Sequence, residues 1–167
     1  GEVKLRVTAS LPEGEDAEAL LQPAIKKILA AAGDYCYGID VPDLQTAAVQ
    51  ALRQKGLTVA SAESCTGGLV AARLTEVPGA SAVFGCGIVS YNNTVKAEVL
   101  GVDPAIIEQY TAVSAETAAA MAEAVRKKSG ADIGIGVTGN AGPSASEGQP
   151  VGLVFVAVAS EKYSHVS

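Results

Sequence analysis

The sequence has no tryptophan and a single histidine, and only 4% of its 167 residues are aromatic. That histidine, His165, stands two residues from the last, so a zinc site of the Cys/His kind is short of ligands. The three cysteines, Cys36, Cys65 and Cys86, are odd in number and show no C-x-x-C spacing. We read from them a reduced, cytoplasmic chain. No apolar run reaches the ~18 residues of a membrane span, and the N-terminus lacks the basic-then-apolar layout of a secretory signal. Positive charge is scarce too. Twelve Lys and Arg face 18 Asp and Glu, for a net charge of −6, which argues against a general nucleic-acid binder. The nucleotide fingerprint G-x-x-x-x-G-K-[ST] is missing as well. The serine-hydrolase elbow G-x-S-x-G and the S-x-x-K pattern are likewise absent.

What is present is small and apolar. Residues of the AVILMFWYC set make up 49% of the chain and glycine contributes 18 positions, which suits closely packed layers. In the first forty residues Val3, Leu5 and Val7 alternate with polar neighbours, as in a half-buried strand. A helix is expected from Glu15 to Ala32, kinked or restarted at Pro23, and a short second strand over 34–38. Such a β-α-β piece is too small to stand alone and needs a remainder or a partner. A linker over 39–43 follows. Beyond it, strands are expected at 57–62, 82–90, 131–137 and 151–159, with helices at 44–55, 67–74, 94–100, 104–110 and from a Ser114 cap to about Lys128. The last strand is apolar throughout, as in a sheet buried on both faces. The fold class is therefore α/β: a layered, mostly parallel sheet flanked by helices, with a small N-terminal β-α-β piece. Residues 1–40 and 41–167 form its two parts.

Three segments place polar residues and glycines just past a strand, where open α/β sheets build their sites. The first is Glu63-Ser64-Cys65-Thr66-Gly67-Gly68. Ser64 there is either a simple helix cap or a nucleophile beside N–H groups able to hold an anion. The second, Ser90 to Lys96, carries Tyr91 and Lys96 five residues apart. Read plainly it is a surface turn with a solvated lysine. Both side chains could instead enter one cleft, with Lys96 as base, because desolvation or a nearby cation can free a lysine of its proton. The third, Val137-Thr138-Gly139-Asn140-Ala141-Gly142-Pro143, continues through a polar run containing Glu147 and suggests a mobile, backbone-lined binding loop. His165 lies outside all three, so a histidine triad or a Cys–His pair has no imidazole in them. Paired carboxylates are not evident, and Glu63 and Asp132 read as isolated.

The runs TVASAESCTGGLVAARLTEVPGAS, GIVSYNNTVKAEVLGV, AVSAETAAAMAEAVR, GADIGIGVTGNAGP and QPVGLVFVAVA stand in order at family-like spacing. Together they resemble the C-terminal domain of the CinA (competence/damage-inducible) family, over about residues 43–160. Residues 1–38, with GDYCYG, resemble the last part of the small KH-type domain that precedes it in that family. Standalone versions of the C-terminal domain are nicotinamide mononucleotide deamidases. The resemblance implies an amidohydrolase that releases ammonia and nicotinate mononucleotide. It implies Ser64 as nucleophile, Lys96 as general base and Tyr91 as the assisting tyrosine. It also implies substrate contact at Thr138, and with it Gly139. Donors for an anion or oxyanion are expected among the backbone groups of Cys65, Thr66, Gly67 and Gly68. No cofactor or metal is required. The expected partner is a small mononucleotide, with no nucleic acid or membrane, and a homo-oligomer, as a dimer, is the default. An apolar residue is usual in the family where Asn140 stands, and a glycine-rich loop where this chain reads SASEGQ. The family continues past the last residue with a strand, an arginine-bearing loop and a final helix, which implies a domain without them here. The alternative is a non-catalytic module that binds a nucleotide or a protein.

Overall fold

The computed structural model describes residues 2–12, 14–145 and 148–167. The chain divides into two compact units, one up to Ala47 and one from Ala48 to Ser167. The division falls inside a helix, α2 (Leu44–Lys55), rather than in the 39–43 stretch.

In the first unit the one long helix is α1 (Ala17–Ala32). Asp16 caps it, its carboxylate accepting from the Glu18 and Ala19 N–H groups. Pro23 sits inside α1, which continues through it without a restart, although proline there removes one backbone hydrogen bond. The two strands expected here do not form. Residues 2–12 form neither strand nor helix, and Gly33–Tyr35 is a 3₁₀ turn. Alternation selects a face, but a strand also needs a neighbour to receive its N–H and C=O groups. None is present among the described residues of this unit. Val3 and Leu5 are consequently exposed. Along with Leu21, Ile25 and Ile28 of α1 they line an open groove of about 530 Å³.

The second unit is the layered α/β body. Its strands are β1 (Val59–Glu63), β2 (Phe84–Val89), β3 (Ile133–Gly139), β4 (Val154–Ala159) and β5 (Ser164–Val166). They lie side by side in the order β2-β1-β3-β4-β5. The central trio β2-β1-β3 is parallel, while β4 and β5 add antiparallel pairs at one side. Chain order therefore reverses at β1, whose two neighbours are reached by crossovers on opposite faces. Such a switch point opens a crevice at the carboxyl end of the strand.

One face carries α2 and α3 (Leu69–Thr75), packed through Val49 and Leu74 on Val59 and Phe84. The other carries α5 (Ala115–Ser129), together with α4 (Pro104–Tyr110) and the turn Val95–Leu100. Here Met121 and Val125 meet Ala60, Ala62 and Leu100. Ser114 caps α5 as expected, accepting from the Thr117 N–H at 3.1 Å. Gly134 and Gly136 let α5 lie directly on β3. A Cβ on Gly136 would stand 2.2 Å from the Ala118 carbonyl oxygen.

Two strand expectations change. The 151–159 strand begins only at Val154 and is buried on one face. Ala157 and Ala159 pack against α5, while Val154, Val156 and Val158 are uncovered on the other face. The short β5 had no apolar pattern to announce it.

Candidate active site

The crevice at the end of β1 is where the first two motifs meet. Ser64 follows the last residue of β1, held there by its N–H donating to the Val137 carbonyl at 2.9 Å. It is 7% exposed. Lys96 is 1% exposed, and its Nζ lies 3.1 Å from Ser64 Oγ. That distance is within reach of direct proton transfer. The Nζ also donates to the Tyr91 carbonyl at 3.4 Å.

Lys96 is delivered by an uncommon element. The turn Val95–Leu100, expected as a short α-helix, is π-helical. Asn92 opens it, its side chain accepting from the Val95 N–H and its carbonyl from the Lys96 N–H. At the far end the Lys96 carbonyl takes both the Gly101 and the Val102 N–H. Single π turns of this kind are frequent at functional sites.

Glu63 is almost fully buried. Its carboxylate accepts from the N–H groups of Gly68, Val70 and Ala71 at 2.8–3.1 Å, and from the Ser61 hydroxyl at 3.2 Å. Burial pushes its pKa up, but the nearby Thr66 hydroxyl and the Val70 and Ala71 N–H groups outweigh that and hold it below the usual carboxylate range. Glu63 thus works with backbone and hydroxyl donors rather than with a second carboxylate: it ties the end of β1 to the start of α3. The usual N-cap signature spans about three residues, whereas Glu63 reaches five to eight ahead. That is why the sequence pattern did not expose it. Gly67 and Gly68 both take positive φ, which lets the chain fold back over this carboxylate.

Occupation by Glu63 narrows the expected anion donors. The Gly68 N–H is taken by Glu63 and the Gly67 N–H by the Ser64 carbonyl at 3.1 Å. The N–H groups of Cys65 and Thr66 donate to no backbone oxygen among the described residues. Burial pushes the Cys65 thiol up, away from thiolate character.

The other expected residues divide. Tyr91 brings its carbonyl to Lys96, but the residue is 74% exposed. Thr138 is buried on the strand beside Ser64, and its hydroxyl donates to the Ala112 carbonyl at 2.6 Å. Gly139 is a packing glycine: a Cβ there would stand 2.8 Å from the Leu153 carbonyl oxygen. Asn140, unremarked as a chemical group in the sequence, staples the following loop. Its Nδ2 donates to the Ser144 and Gln149 carbonyls and its Oδ1 accepts from the Gly142 N–H. Glu147 lies outside the described residues. His165 is exposed on β5, stacked on Tyr163. Among the described residues no group of three or more His, Cys, Asp and Glu could hold a metal ion, and no helix is long and apolar enough to cross a membrane.

The profile of the CinA C-terminal domain family matches residues 42–167. A CinA-like protein of Desulfovibrio desulfuricans is 47% identical over 158 residues, covering 94% of this chain and 37% of that protein. A CinA-like protein of Dictyoglomus turgidum is 45% identical over 157 residues, covering 93% and 38%. The chain thus spans about two fifths of the length of these curated relatives. Among solved structures, competence/damage inducible protein CihA from Agrobacterium tumefaciens is similar at a TM-score of 0.70 and 39% identity, over 74% of this chain and 76% of that one. A CinA superfamily protein from Escherichia coli is similar at a TM-score of 0.73 and 30% identity, over 81% and 83%.

Proposed function

The chain belongs to the CinA C-terminal domain family, and from that premise and the geometry at β1 we propose that it is a serine amidohydrolase that deamidates nicotinamide mononucleotide. The observation that carries the reading is the buried contact of Lys96 Nζ with Ser64 Oγ at 3.1 Å. A lysine meant only for solvent would not be sealed against a serine at a strand end. In the first step neutral Lys96 takes the Ser64 proton as Oγ attacks the carboxamide carbon. The oxyanion that forms lies against the Cys65 and Thr66 N–H groups, donors in the turn before α3 that no backbone oxygen takes among the described residues. Lys96 then returns the proton to the nitrogen, which leaves as ammonia. Water, deprotonated by Lys96, attacks the acyl-serine carbon; the carbon–Oγ bond breaks, Ser64 Oγ takes that proton back from Lys96, and nicotinate mononucleotide is released. The Tyr91 phenol assists at the exposed side of the crevice, and Thr138 lines it on the β3 side. Carboxamide hydrolysis needs no redox partner, which suits a site built from hydroxyl, amine and backbone groups.

Ammonia release from nicotinamide mononucleotide tests the reading. Ser64→Ala should abolish turnover, and Lys96→Ala should reduce kcat by ~10²–10⁴-fold. Tyr91→Phe should lower it less. Full turnover in Ser64→Ala, or no ammonia from the unaltered protein, would sink the assignment.

A further inference from the structure

The residue beside Ser64 on the β2 side is Ser90. It is 0% exposed, and its hydroxyl has no hydrogen-bond partner among the described residues. Its place follows from the sheet. Glu63 lies in register with Val89 of β2 and Val137 of β3. One residue further, the Ser90 N–H donates to the Glu63 carbonyl at 2.8 Å and the Ser64 N–H to the Val137 carbonyl at 2.9 Å. Ser90, Ser64 and Thr138 therefore form a row across three adjacent strands.

Strand alternation sends all three to one face. On that face Ala60 and Ala62 of β1 and Cys86 and Ile88 of β2 pack with Leu100, the end of the turn that carries Lys96. Gly134 and Gly136 of β3 meet α5 there. Thr138 has committed its O–H to the Ala112 carbonyl. Ser90 has committed nothing. A hydroxyl sealed from water without a partner is disfavoured, and native structures hold few. Its place in a row with a nucleophile implies a partner that arrives with the substrate.

We propose that Ser90 Oγ is the acceptor for an N–H of the carboxamide nitrogen, and so holds the leaving group towards Lys96. This rests on the amidohydrolase reading above. As the Ser64 Oγ–carbon bond forms, the serine proton passes to Lys96 Nζ. When the carbon–nitrogen bond breaks, its electron pair stays on nitrogen, which takes that proton and departs as ammonia. The carboxamide nitrogen brings two N–H bonds and loses water on entering the crevice, so it requires acceptors. Lys96 approaches from the β2 side, donating also to the Tyr91 carbonyl next to Ser90. An acceptor at Ser90 keeps the nitrogen on that side.

The test compares two substrates that differ in their leaving group. Nicotinamide mononucleotide departs with an N–H-bearing nitrogen, whereas p-nitrophenyl acetate departs with a phenolate that has none. Ser90→Ala should slow ammonia release about 10- to 100-fold, while p-nitrophenol release stays within about twofold of the unaltered protein. Ser90→Thr, which keeps the oxygen, should recover most of the amide rate. Where the alanine variant is poorly folded, Ser90→Cys offers a weak acceptor of similar shape and should show the same split. Equal losses on both substrates would mean a merely structural serine and overturn the proposal, as would undiminished amide turnover in Ser90→Ala. A protein that releases p-nitrophenol through Ser64 but no ammonia would instead remove the amidohydrolase reading, and Ser90's role with it.

Discussion

A carboxylate buried one residue from a nucleophile would ordinarily oppose the negative charge that an acyl-transfer step builds. In this chain the Glu63 charge is turned to the opposite face of β1 and taken up by the N–H groups that open α3. Its folded pKa lies below the ordinary carboxylate value. Stability from it is therefore present above the unfolded pKa of ~4.3 and is lost as pH falls through that value toward the folded one. Glu63→Gln removes charge-assisted hydrogen bonds worth about 2 kcal/mol. Urea unfolding at pH 7 should show a loss of that order, and the gap from the unaltered protein should close as the buffer is taken well below pH 4. A gap that stays constant with pH would refute the charge argument. Ser64 and Lys96 were legible as candidates because a serine at a strand-to-helix turn and a lysine past a strand are local patterns. Their contact was not, since 32 residues separate them. Glu63, Ser90 and Asn140 were hidden because their roles depend on partners that no short motif fixes.

At the scale of elements, periodicity was a good guide wherever an element packs on one side and has a partner. The span 104–110 and the Ser114 cap of α5 stand where the pattern puts them. The failures have one cause: pattern says which face is apolar, and neighbours decide the rest. Residues 3–7 alternate without a strand to pair with, and the unbroken apolar run at 154–159 has a helix on one side only. The π turn is invisible in pattern because its extra residue is settled by hydrogen bonds to the Lys96 carbonyl. The α5–β3 contact makes a sharp prediction. Gly136→Ala places a methyl carbon 2.2 Å from the Ala118 carbonyl oxygen, which cannot swing aside as a side chain would. Overpacking there should cost about 3 kcal/mol in urea unfolding. Gly85→Ala, with nothing within 4 Å of the new carbon, should stay within about 0.5 kcal/mol.

Across the whole molecule the two units differ in how much they bury. No described residue up to Ala47 is fully buried, whereas β1 is buried along its length and α5 buries Ala118, Met121 and Val125 completely. Local opening follows buried contact density. Amide hydrogen exchange read by mass spectrometry should label α1 within seconds to minutes and leave β1 and α5 protected for hours. Equal protection in both units would show that the first is held by more than its own packing. The α/β class was readable from the recurring strand–helix order, whereas the division between the two units falls inside α2, past the change of pattern near residue 40. The sequence could not tell which apolar positions are left open to water. Val154, Val156 and Val158 are such positions, three valines in one line on the uncovered face of β4. Their consequence is colloidal: a chain with a net charge of −6 resists its own kind electrostatically, but salt screens that repulsion while strengthening attraction between apolar stripes. Rising ionic strength therefore works on this molecule through its dispersion in solvent.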